Sequence, residues 1–375
     1  MSRSITFLTR ARMQASEKLR TRRAAATAGL AAVAVVGGMA SPALAQTARP
    51  VPPASTASVS GHVTSTLSPR ANAARLSTYW TPSRMRSAHS LDAIPVSSAA
   101  AAAAAQARPS GPAGRIAGAA PARALAGGAR PVTGVARPAF AGGVGPWGGS
   151  FTSPPATTSG KVFFSDHLGG GWQCSASSVN SNGKDVVFTA GHCVYGTAGG
   201  KLPAGETWHS NWVFIPDYYF GSAPYGQWPA CQLWTLNNYI ANQDLGDDMG
   251  AAVACTNGSG QHLVNVVGGQ GFAWNFGQNL YVFGFGYPSD HDSGQVLEEC
   301  DSTEFAGTDF ASTTGMSCNF GEGSSGGPWL AFFDGSTFGD VNGVNSFGDS
   351  NFPGYIFSPY FGNNAITLFN AVANL

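Results

Sequence analysis

Two short motifs in this chain hold residue types that can do chemistry together. Thr189-Ala190-Gly191-His192-Cys193 comes first, and Gly323-Ser324-Ser325-Gly326-Gly327-Pro328 follows well downstream. A serine hydroxyl is a poor nucleophile at neutral pH until a neighbouring base takes its proton, and histidine is the side chain suited to that task. Glycines around Ser325 allow a tight turn that aims backbone N–H groups at an oxygen becoming negative. In the order histidine then serine, the pair predicts a serine endopeptidase site.

A Gly-x-Ser-x-Gly string also marks the nucleophile elbow of α/β-hydrolases, but those enzymes place the histidine after the serine. The last histidine here is His291, ahead of Ser325, so chain order excludes that reading. Subtilisin-like enzymes do place histidine before serine, but their aspartate precedes the histidine and their serine motif differs.

Over roughly residues 160 to 375 the chain resembles the chymotrypsin/trypsin-like serine proteases, and among them the secreted bacterial branch that includes the glutamyl endopeptidases. Cys174-Ser175-Ala176-Ser177 resembles the strand leading to the histidine loop, and Gly343-Val344-Asn345-Ser346-Phe347 the strand lining the substrate cleft. The resemblance implies His192 as general base, Ser325 as nucleophile, and the N–H groups of Gly323 and Ser325 as the oxyanion hole. For the acid that orients the histidine, Asp244-Leu245-Gly246-Asp247-Asp248-Met249-Gly250 offers three candidates. Asp248 fits the family pattern, because Met249, Gly250 and Ala251-Ala252-Val253-Ala254 run on as a buried strand. Asp244 begins similarly but leads into two more acids, which would not enter a core. By the same resemblance Ser346 hydrogen-bonds the acid, Asn319 lies at the base of the primary specificity pocket, and Asn345 stands where glutamyl endopeptidases carry a histidine. Neither asparagine commits the pocket to a charge. Ser324 occupies the position where trypsin-like precursors hold an aspartate that pairs with a freed N-terminus, so activation must take another route.

The elements that position these residues read as all-β. Apolar runs such as Lys161-Val162-Phe163-Phe164, Asp185-Val186-Val187-Phe188-Thr189, Asn279-Leu280-Tyr281-Val282-Phe283 and Trp329-Leu330-Ala331-Phe332-Phe333 alternate with Gly, Asn, Asp and Ser turns. The last of them gives way to a short C-terminal helix near Asn364–Ala373, with Ile366, Phe369 and Ala373 on one face and Asn363 or Asn364 as its cap. The resemblance implies two six-stranded antiparallel β-barrels, His192 on the first and Ser325 on the second. All six cysteines, Cys174, Cys193, Cys231, Cys255, Cys300 and Cys318, lie in this region. An even count favours three disulfides over a metal site, and about fifteen connectivities are open. The family implies Cys174–Cys193 and Cys300–Cys318, which leaves Cys231–Cys255. The sequence shows no metal-ligand set and no cofactor motif; Asp290-His291-Asp292 reads as a solvated loop.

Composition divides the rest. Residues 1–45 read as a signal peptide, with Arg20, Arg22 and Arg23 before a small-apolar run and Ala43-Leu44-Ala45 before the cut. The apolar run is too short for a membrane span, and Thr21-Arg22-Arg23 leaves a twin-arginine route as an alternative. Residues 46–146 form a low-complexity basic segment, expected to be weakly ordered and removed as a propeptide, leaving 147–375 as the catalytic domain. From residue 146 onward three lysines and no arginine face eighteen Asp and Glu, a formal charge of −15, whereas 46–145 carries ten arginines and one acid. Opposite charges predict attraction between segment and domain in cis, and the acidic surface argues against nucleic acid or anionic membrane as partner. With so few cations the domain is expected to stay folded in acid. The sequence thus predicts a secreted, monomeric endopeptidase acting on protein or peptide substrates, located outside the cell or in a periplasm. A catalytically inactive binding protein of the same fold is the alternative.

Overall fold

Runs of β-branched and aromatic residues cut every few positions by glycine, asparagine or aspartate can bury one face only by pairing with similar runs. In the computed structural model, which describes residues 57–91, 111–123, 143–196, 207–307 and 312–375, they do so in two halves. The strands Trp228–Leu236, Gly250–Ala254, Val186–Thr189, Gly171–Val179, Ser159–Ser165 and Ser210–Pro216 pair in that order. The ring closes through Val213 opposite Pro229 and Phe214 opposite Trp228. Closure removes the free edges of this sheet and fills its interior with Val162, Val187, Phe214 and Leu233, all buried.

The second half is built on six strands, Tyr281–Gly286, Glu298–Thr303, Thr313–Ser317, Pro328–Ala331, Asp340–Val344 and Tyr355–Pro359, with five further short strands beside them. The fold is therefore chymotrypsin-like, with one difference from two regular barrels. The backbone ladder of the second half is divided between a seven-stranded and a four-stranded sheet. Side chains bridge the division: the Cys300–Cys318 disulfide on one side, and on the other the Val344 N–H, which donates to Ser358 Oγ at 2.9 Å. Cys174–Cys193 and Cys231–Cys255 are the other two bridges. The C-terminal helix spans Asn363–Val372 and buries Ala365, Leu368, Phe369 and Val372. Gly362 takes the cap position without a side-chain bond. The two asparagines expected there bind elsewhere, Asn363 accepting from Asn275 and Asn364 donating to Asp247. Among the described residues no helix is long and apolar enough to cross a membrane.

The basic N-terminal segment departs most from expectation. Residues 1–45, expected as a signal peptide, lie outside the described residues, and 57–91 are built into the first barrel. Val59–Val63 adds an antiparallel strand to Trp228–Leu236, and Gly114–Ile116 adds one to Gly271–Trp274. Two helices follow the first strand, Pro69–Tyr79 and Pro82–Arg86. Each begins with proline, whose missing N–H goes unneeded in a first turn, behind a capping hydroxyl: Ser68 accepts from the Ala71 N–H and Thr81 from the Arg84 N–H. They carry Leu76, Trp80 and Met85 into the main core, all at most 1% exposed. Trp80 packs on Phe163 at 5.5 Å between ring centroids and donates its indole N–H to the Asn211 carbonyl at 2.6 Å. Burying side chains of this size is worth roughly 1.5–3 kcal/mol each, which overrides the segment's low-complexity composition. Arg115 pairs with Asp340, but the contact made by 57–91 rests on apolar burial more than on charge.

Several ionisable groups lie in the core. Burial, with Asp292 beside it, pushes the Glu298 carboxyl up to about 8, and burial also raises Glu304 to about 8. A carboxyl raised from 4.5 to about 8 holds a proton in the folded state that the unfolded chain has released. Stability from this source is full below pH 4.5 and is lost as pH rises through 8. His209, pushed down to about 4 by burial, works oppositely: its contribution is present above pH 6.5 and is lost as pH falls through 4. Glu298→Gln should therefore match the parent in melting temperature at pH 4.5 and exceed it at pH 8. Calorimetry at the two pH values checks this, and a variant less stable at both would refute the assignment. Circular dichroism should show the fold retained from pH 7 down to pH 4.

Candidate active site

His192 lies in a single 3-10 turn, Gly191–Cys193, where the chain leaves the strand Val186–Thr189. The Cys174–Cys193 bridge ties this turn to the neighbouring strand. Asp248 lies at the start of the next strand along the ring, Gly250–Ala254, and is fully buried. Its Oδ2 lies 2.8 Å from His192 Nδ1, and its Oδ1 accepts from the His192 backbone N–H at 2.8 Å. Ser346, from the second half, donates its hydroxyl to the same Oδ2 at 2.5 Å. A carboxylate oxygen accepts, so it obliges the imidazole to present Nδ1 as N–H. Nε2 is thereby left as the basic nitrogen; it is buried and has no hydrogen-bond partner among the described residues.

The other two acids of the sequence cluster are engaged elsewhere. Asp244 caps the short turn after it by accepting from the Gly246 N–H at 2.9 Å. Asp247 accepts from Asn238 and Asn364 at 2.6 Å each. The hydrogen bonds to His192 come from Asp248 and not from either of these.

Behind the imidazole stands a residue that the sequence did not single out. His209 is buried, stacks on Phe164 at 4.3 Å between centroids, and has Nε2 2.9 Å from the His192 carbonyl. A carbonyl only accepts, so that nitrogen is the N–H. Burial holds His209 neutral through most of the pH range by pushing it down to about 4.

Ser325 follows a turn that glycine makes possible. Gly323 has φ +91° and Gly326 φ +81°, and a Cβ on Gly326 would meet Thr189 Oγ1 at 1.9 Å and the Ser175 carbonyl at 2.4 Å. The turn can therefore press against the first barrel. Ser175 completes the contact by donating its backbone N–H to the Ser325 carbonyl at 2.7 Å and its hydroxyl to the Gly323 carbonyl at 2.9 Å. His192, Asp248, Ser325 and Ser346 thus meet at one junction between the halves. Nε2 as base, an aspartate behind it, and a glycine-framed serine are the parts an acyl-transfer site requires.

Two expected substrate-binding residues are placed differently. Asn319 is exposed: Cys318 is held inside by its disulfide and by its N–H to the Gly354 carbonyl, and the next side chain points out. Asn345 is fully buried, and its amide is spent within the protein on Phe285, Ser324 and Trp329.

The cleft is not empty. His89-Ser90 runs parallel to Trp172-Gln173, and Gln173 donates its side-chain N–H to Ser90 Oγ at 2.7 Å. Leu91, fully buried, donates its N–H to the Gln173 carbonyl at 3.1 Å and accepts at its own carbonyl from the Gly323 N–H at 3.2 Å.

Solved structures of proteases match this chain. Protease Anisep from Arthrobacter nicotinovorans is 33% identical with a TM-score of 0.53, over 59% of this chain and 97% of that one. A thermostable serine protease, AL20, from an extremophilic microorganism is also 33% identical with a TM-score of 0.53, over 58% and 97%. No protein-family model matches the chain, and no curated protein does. With a third of the residues identical across nearly the full length of both proteases, the chain belongs to the serine proteases of chymotrypsin-like fold.

Proposed function

We propose that the protein is a secreted serine endopeptidase in which Ser325 attacks the peptide carbonyl, His192 takes and returns the proton, Asp248 orients His192, and the N–H groups of Gly323 and Ser325 receive the oxyanion. The observation that carries this reading is the buried Asp248 carboxylate, which binds His192 Nδ1 and leaves Nε2 as the base beside the Ser325 turn. An acyl-enzyme forms when the amine departs with the proton from His192, and water activated by the same nitrogen releases the acid. An inactive binding protein has no need of a charge buried at this cost.

Residues 1–45 are the export signal on this reading, and the three disulfides suit an oxidising compartment outside the cell or in a periplasm. The enzyme acts as a monomer. It is made as a latent precursor whose 46–146 segment is removed to leave 147–375. Support for latency comes from Leu91, whose carbonyl takes the Gly323 N–H that a substrate's oxygen would need. A donor already occupied cannot stabilise a second oxygen, and losing one such donor lowers turnover by about 10²–10³.

Ser325→Ala and His192→Ala in the processed domain should abolish peptidase activity, with losses of about 10⁴ or more; Ser325→Ala should keep a melting temperature near that of the parent, whereas His192→Ala, which strips buried Asp248 of one donor, should lower it without preventing folding. Asp248→Asn should be severely impaired and Asp244→Asn near normal; the reverse ranking would reassign the acid. For latency, a fluorophosphonate probe should label Ser325 in the intact chain about 100-fold more slowly than in the processed domain, the two read as separate bands on a gel. Leu91→Pro, which removes the N–H given to Gln173, should bring the intact chain close to the processed rate. Equal labelling of the two parent bands would sink the latency reading and leave the peptidase reading standing.

A further inference from the structure

A trans peptide holds its carbonyl and its N–H on opposite sides of one plane, so pinning the carbonyl aims the N–H. Two peptides supply the proposed oxyanion donors, and both have their carbonyls pinned. The Glu322 carbonyl accepts from the Ser289 N–H at 2.7 Å, which directs the Gly323 N–H of the same peptide toward Leu91. The Ser324 carbonyl accepts from the Gly327 N–H at 2.9 Å and from Asn345 Nδ2 at 3.0 Å. This second peptide carries the Ser325 N–H.

Asn345 is built so that it cannot turn away. Its side chain is fully buried, its Oδ1 accepts from the Trp329 indole N–H at 2.7 Å, and the remaining Nδ2 proton goes to the Phe285 carbonyl at 3.0 Å. Flipping the amide would set two donors face to face at Trp329 and an oxygen against two carbonyls, so the network admits one orientation. The backbone of Asn345 clamps the same turn: its N–H donates to the Gly327 carbonyl at 2.9 Å, and its carbonyl accepts from the Gly326 N–H at 2.7 Å. Ser324 adds only a local bond, its hydroxyl donating to the Gly321 carbonyl at 2.8 Å, and has no charge with which to hold an ammonium group.

We propose that Asn345 is a positioning residue that fixes the Ser324–Ser325 peptide with the Ser325 N–H toward the cleft. A neutral buried amide thereby does the loop-setting work for which residue 324 has no charge. The proposal rests on the serine-peptidase reading of this site. It gives a function to the residue at the place where the sequence pointed to substrate recognition.

The test compares processed parent with Asn345→Asp, which keeps the shape and the acceptor for Trp329 but loses both donors, and with Asn345→Val, which loses donors and acceptor alike. Each variant that folds, judged by near-ultraviolet circular dichroism and three intact disulfides, should lose about 100-fold in kcat, the scale of one oxyanion donor, with KM within about threefold. A peptide boronate, whose tetrahedral oxygen needs the same donor, should bind about 100-fold more weakly. A fall in stability with kcat and boronate affinity kept, or a change confined to KM, would overturn the proposal. So would failure of both variants to fold, because the residue would then serve the core and not the donor. If the parent's Ser325 resists a fluorophosphonate after processing, the peptidase reading itself has failed, and that is visible without any variant.

Discussion

Everything at this site hangs on one buried negative charge. The Asp248 carboxylate is fully shielded from water, and an unpaired ion there would cost several kcal/mol. It is satisfied by donors from both halves of the molecule: the N–H and Nδ1 of His192 from the first barrel and the hydroxyl of Ser346 from the second. Neither half alone can bury the charge with its full set of partners. Docking of the halves and assembly of the site are therefore one event energetically. The Ser175 N–H, reaching across to the Ser325 carbonyl, sets the nucleophile in register with the histidine at the same junction.

How much of this could be read from the sequence follows from what each signal encodes. The strand runs were legible because they depend on period-two burial, and the motifs around His192 and Ser325 stood out because they depend on local chemistry. Asp248 was separable from Asp244 and Asp247 because only it runs straight into an apolar strand. The roles of Asn319 and Asn345 were not legible, since position in a motif does not say which way a side chain points or what it already binds. His209 had no sequence signal at all: its place depends on a carbonyl seventeen residues earlier in the chain and on Phe164 packing over its ring.

The N-terminal segment shows how an average composition can hide structure. Ala, Pro, Ser and Arg dominate 46–146, yet Ser68-Pro69 and Thr81-Pro82 each place a capping hydroxyl directly before a proline, the pattern of a helix start. Trp80, between those helices, supplies a buried anchor that a count of aromatics over a hundred residues discounts. Within 57–91 the contact is made by Leu76, Trp80, Met85 and Leu91 entering the core. Apolar burial of this kind is strengthened by kosmotropic salts such as sulfate.

A precursor can be kept inactive by leaving its oxyanion loop unformed or by filling a loop already formed. The two demand different things of residue 324. The first needs a charge there that waits for a freed amine; the second needs the loop's carbonyls held from the outset and an occupant that can be withdrawn. Ser324 cannot serve the first. In the intact chain the carbonyls of Glu322 and Ser324 are both held, and a peptide carbonyl from Leu91 already sits on the Gly323 N–H. That bond could not form with the peptide turned over, which is what the second scheme, and the latency proposed above, requires. On that proposal activation is the loss of a covalently attached ligand, and its rate depends on how firmly Trp80 and its neighbours hold 57–91 in the barrel.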